Sequence, residues 1–112
     1  MSSKISSVKT LEMVPPEKAF YFYYDIGKPL GVVANSLREF GALVKTVEVQ
    51  SLEFHSKRGD FERWIAMLGD GDLSKAMVKI KEGGLKGEKL RAELVRVVQT
   101  RVRQLQRVPT RK

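Results

Sequence analysis

Apolar positions along the chain switch between two periods. Residues 20–24 read Phe-Tyr-Phe-Tyr-Tyr. Alternation puts Phe20, Phe22 and Tyr24 on one face of a strand and Tyr21 and Tyr23 on the other. Asp25-Ile26-Gly27-Lys28-Pro29 predicts a turn in which Gly27 supplies the positive φ. Leu30 to Ala34 then returns as a second strand. A lone hairpin is only marginally stable in water, so this one needs helices, or a partner's strand, to pack against.

From residue 36 the spacing becomes helical. Ser36-Leu37-Arg38-Glu39 has the spacing of a capping box, and Leu37, Phe40, Leu43, Val44 and Val47 follow on one face. Residues 48–57 fit neither period cleanly, and a short helix is expected there. Gly59 breaks it. Asp60 is expected to cap the next helix, where Phe61, Trp64, Ile65 and Leu68 form a stripe. After Gly69, Asp72 is expected to cap a helix carrying Leu73, Ala76, Met77 and Ile80, which Gly83-Gly84 stops. The last helix is predicted from Gly87 to Gln106 or Arg107, about 30 Å long. Leu90, Leu94, Val97, Val98, Val102 and Leu105 form its apolar stripe, and Pro109 ends it.

These elements predict an α+β domain: an N-terminal aromatic β-hairpin packed on about four helices, the last of them long and basic. Residues 1–14, Ser-rich and polar, are expected to be a mobile segment, 15–107 the globular domain and 108–112 a basic tail. The chain has 112 residues and no cysteine, which excludes disulfides and thiolate chemistry. No run approaches the ~20 apolar residues that span a bilayer. The first ten residues lack the apolar core of a signal peptide. A cytoplasmic protein is expected.

Charge changes the picture. Of 21 Lys and Arg, nine lie between Leu85 and Lys112, against only two of the 13 acids, so this segment holds +7 of the formal +8. A neutral body with a concentrated basic end points to a polyanionic partner. Lys89, Arg96, Arg103 and Arg107 recur at spacings of seven, seven and four, which puts them on one helix face. Lys86 precedes the row, and Arg111 and Lys112 extend it. Arg101 falls instead amid the apolar stripe, between Leu90 and Leu94 on the helical wheel. An internal ion pair, with Glu53 or Asp60, is the favoured reading; a subunit interface is the other.

His55 is the sole histidine. With Glu53 and Asp60 it makes an acid–base cluster on paper, yet no nucleophile accompanies it, so a structural hydrogen bond is expected. No catalytic residue, metal site or cofactor is predicted. Arg58-Gly59-Asp60 reads as helix stop and helix start. Tyr21 and Tyr23 are the aromatic residues left to face away from the core, where single-strand binders stack bases.

The block Ser51-Leu52-Glu53-Phe54-His55, Arg58-Gly59-Asp60-Phe61-Glu62, Trp64-Ile65 and Leu68-Gly69-Asp70 resembles a small archaeal family catalogued as a domain of unknown function. The resemblance extends from about residue 14 to 106, leaving Met1–Met13 and Arg107–Lys112 outside. It implies an archaeal cytoplasmic source, a compact α-rich domain and no assigned activity. It also implies that His55, Arg58, Asp60, Trp64 and Arg101 form a shared structural signature.

The function expected is that of a non-enzymatic RNA-binding, ribosome-associated protein. Lys86, Lys89, Arg96, Arg103, Arg107, Arg111 and Lys112 would dock on ribosomal RNA phosphates, with ribosomal proteins as further partners. A homodimer could bridge or silence ribosomal particles. The alternatives are a DNA-binding chromatin or regulatory protein and a protein-interaction module.

Overall fold

The computed structural model describes residues 10–107. A short 3-10 turn, Pro16–Lys18, leads into β1 (Phe20–Asp25) and β2 (Lys28–Ala34). Five helices follow: α1 (Leu37–Val44), α2 (Val49–Arg58), α3 (Asp60–Met67), α4 (Gly71–Glu82) and α5 (Gly87–Arg107). The fold is α+β, as the periodicity predicts, and the ambiguous stretch after residue 47 is helical.

β1 and β2 form an antiparallel hairpin that pairs Phe20 with Ala34 and Asp25 with Lys28. Gly27 takes φ 71° at the turn, where Asp25 Oδ1 accepts a hydrogen bond from Ile26 N–H. Phe20 and Phe22 are buried and Tyr21 is exposed, so alternation holds at the start of the strand. The register then shifts on both sides of Tyr23, and Tyr23 and Tyr24 are both half-buried.

Phe20, Phe22, Phe40, Phe61 and Trp64 form one ring cluster where the hairpin meets the helices, with centroids 4.9 Å apart for Phe20 and Phe22 and 5.3 Å for Phe40 and Trp64. Trp64 is anchored by its Nε1–H, which donates to the Lys18 carbonyl at 2.8 Å. Ser36 caps α1 as predicted, while the return bond of Glu39 reaches one residue beyond the N-cap amide. Ser36 Oγ accepts from Glu39 N–H, and Glu39 Oε1 reaches back to Asn35 N–H at 2.7 Å.

α5 closes the core by packing on α1, α2 and α4. Leu90, Leu94, Val98 and Leu105 are buried, while Val97 and Val102 are half-buried. The approach to α1 is close: a Cβ on Gly41 would stand 3.0 Å from Val98 Cγ1. Packing also reaches back before residue 15. Thr10 is buried, and Val14 N–H donates to the Asn35 carbonyl at 2.7 Å. The rest of the expected N-terminal segment, residues 1–9, and the tail 108–112 lie outside the described residues. Among the described residues no helix is long and apolar enough to cross a membrane.

Candidate nucleic-acid interface

The basic residues of the last helix divide into two sets. Lys89, Arg96 and Arg103 are exposed along α5, and Lys86 is exposed in the turn before it. Arg96 forks onto Glu93 one turn earlier, and that hydrogen bond holds the Glu93 carboxyl below the usual carboxylate range. Arg107 belongs to the helix, but its side chain, like Arg111 and Lys112, lies outside the described residues.

Arg91 and Arg101 serve the fold instead. Arg91 donates through Nη1 to the Val44 carbonyl at 2.9 Å, satisfying the open end of α1, and through Nε to Glu88. Arg101 forms the internal ion pair expected of it, but its partner is Asp70, not Glu53 or Asp60. Arg101 Nε donates to Asp70 Oδ2 at 2.7 Å, and the Asp70 side chain is 1% exposed. Asp70 Oδ1 accepts from Leu73 N–H at 3.0 Å, so Asp70 is the cap of α4. Asp72, the expected cap, is 82% exposed and only approaches Arg101 Nη2 at 3.8 Å. Glu53, the other expected partner of Arg101, accepts from Gly87 N–H at 2.7 Å and so holds the first amide of α5.

The block from His55 to Asp60 joins the helices to the hairpin. His55 is buried, and both ring nitrogens are engaged. Nδ1 meets Asp60 Oδ2 at 2.8 Å, while Nε2 accepts from Tyr23 N–H at 2.8 Å where the hairpin register shifts. This pairing places the proton on Nδ1. Burial pushes the His55 pKa down, outweighing the hydrogen bond and charge of Asp60 that favour the cation; the charge on Arg58 adds to the drop. Burial alone would raise the Asp60 pKa, but hydrogen bonds from His55 and Arg58 and their charges hold it below the usual range.

Asp60 does not cap α3 as expected. Its two oxygens are taken by His55, Arg58 Nε and Arg63 Nη2, leaving Gly59 in the cap position at φ 79°. With both nitrogens engaged, His55 makes structural hydrogen bonds of the kind expected of it. No three His, Asp or Glu side chains among the described residues gather as a metal's ligands would.

Two clefts flank α2. One, about 290 Å³, is walled by Tyr21, Tyr23, Phe54 and Arg58, with Asp60 and His55 beside them. Arg58 lies 5.0 Å from the centre of the Phe54 ring. The other, about 370 Å³, brings Lys57 and Lys81 together with Lys86. Neither lysine joins Lys86 by any helical spacing, so the sequence offers no signal for the second cleft beyond the lysines themselves.

The model of one protein family, described as a family of unknown function (DUF5752), matches residues 1–99. The match takes in the first residues, which the sequence resemblance leaves outside, and stops short of Arg101 and Arg103. No curated protein and no solved structure matches the chain.

Proposed function

We propose, for a chain that belongs to this family of unknown function and so inherits no activity from it, a non-enzymatic role in RNA binding as a ribosome-associated protein. The observation that carries the reading is the division of charge on α5. Arg91 and Arg101 are turned inward to neighbouring helices, while Lys86, Lys89, Arg96 and Arg103 stay on the surface. A fixed helix presenting cations on its outer side follows a phosphate backbone through counterion release, with no need to read bases. Specificity then comes from RNA shape or from a neighbouring protein. In a homodimer, the exposed Tyr21, Ile26 and Val33 of the hairpin are the apolar surface available to a second copy.

The test is sedimentation of a cell lysate through sucrose gradients at low and high salt, with and without ribonuclease. The protein is expected to travel with ribosomal particles at low salt and to leave them at high salt or after digestion. Reversing Arg96 and Arg103 to Glu is expected to abolish co-migration. Migration as a free small protein at low salt would sink the reading. Co-migration with DNA that survives ribonuclease would favour the chromatin alternative.

A further inference from the structure

We infer that the cleft between α2 and the α4–α5 turn is a binding site for a phosphate ester. It shares only Lys86 with the interface proposed above and stands without it. Three lysines line it from separate elements: Lys57 from the last turn of α2, Lys81 from the last turn of α4, and Lys86 from the turn before α5. The acid in the lining, Glu53, is already engaged by the Gly87 N–H. The side chains of Lys57 and Lys86 have no hydrogen-bond or ion-pair partner among the described residues, and Lys81 makes a long ion pair with Glu62 at 3.8 Å.

A second observation is independent of charge. Ser56 is 7% exposed and lines the same cleft, and its hydroxyl has no partner among the described residues. It is not among the fully enclosed polar atoms that lack a partner, so it keeps some accessible surface, and Ser56 lines the cleft. A buried hydroxyl is normally hydrogen-bonded, so an unpartnered one in the lining is a group that a ligand would satisfy.

Helix ends account for part of the charge. Lys57 and Lys81 suit the negative carbonyl ends of α2 and α4. Lys86 does not, because it stands at the positive amino end of α5. The cleft, about 370 Å³ with Leu85 and Leu90 in its lining, has room for more than a bare phosphate. The ligand therefore carries an organic part: a free nucleotide, or a phosphorylated strand end.

The test is an NMR titration of amide shifts in the full chain. The probes are inorganic phosphate, adenosine monophosphate, and one oligoribonucleotide with and without a 5′ phosphate. Saturable shifts at Ser56, Lys57 and residues 84–86 are expected with a phosphate ester, and Lys57→Gln and Ser56→Ala should each weaken binding, the former about tenfold. A stronger response to the mononucleotide assigns a free nucleotide. A preference for the phosphorylated over the unphosphorylated strand assigns a strand end. No saturable shift with any probe, or binding unchanged by Lys57→Gln, overturns the inference. The Arg96 and Arg103 reversal leaves this titration unaltered, so loss of ribosome co-migration and loss of the cleft are separate results.

Discussion

Asp70 carries two obligations with one carboxylate: it caps α4 through Leu73 N–H and neutralises Arg101 across the core. Arg101→Met leaves that buried anion with half its partners, and a loss of about 2–3 kcal/mol in urea unfolding is expected, at or below the ~3–5 kcal/mol of fully buried pairs because Arg101 is partly solvated. Asp70→Asn should cost less, since an amide oxygen still caps the helix and Arg101 can turn to water. Equal losses would mean that the pair, rather than the stranded acid, sets the cost. His55 governs the response to pH. Its folded form resists protonation because of burial, so the unfolded chain binds the extra proton first. Stability is therefore full above about pH 6.5 and falls as pH drops toward the lowered folded value. Asp60, also held low, extends the loss below about pH 4. His55→Gln, followed by urea midpoints from neutral to mildly acidic pH, should destabilise the neutral protein by about 1–2 kcal/mol and flatten the slope. An unchanged slope would remove His55 as its source.

At the level of elements, α2 and α3 meet at a single left-handed residue. Gly59→Ala places a Cβ at φ 79° and 3.0 Å from Glu62 Oε2. A loss of about 1–2 kcal/mol is expected in thermal or urea unfolding, with helix content unchanged. The same junction explains what the sequence concealed. α2 resists a periodic reading because its buried face is partly polar: Ser51, His55 and Ser56 lie inside beside Leu52. The other helices have apolar inner faces, and their spacing is legible. The α4 cap was misplaced, at Asp72 instead of Asp70, for a different reason. Asp70 and Asp72 both stand just before Leu73, and the choice is made by Arg101, 31 residues further along. The outward basic row was legible because one helix carries it at a fixed spacing. The lysine cleft was not, because three elements build it.

Over the whole molecule, charge and core share one helix. On the proposed reading, the affinity for single-stranded RNA falls with salt in proportion to the phosphates neutralised. Reversing Arg96 and Arg103 should flatten the slope of log affinity against log salt by roughly 1.4 or more. Fluorescence anisotropy with a labelled oligoribonucleotide measures it, and an unaltered slope would exclude both arginines as phosphate contacts. The seat of α5 has one further consequence. Glu53 holds its first amide, Arg91 ties it to the end of α1, and Arg101 ties it to the start of α4. The helix is thus not a detachable arm. Cutting the chain before Gly87 would strip Leu90, Leu94, Val98 and Leu105 from the interior along with the cations. Evolution, like the experimenter, can alter the outer charges one residue at a time but cannot discard them as a unit and keep a folded remainder.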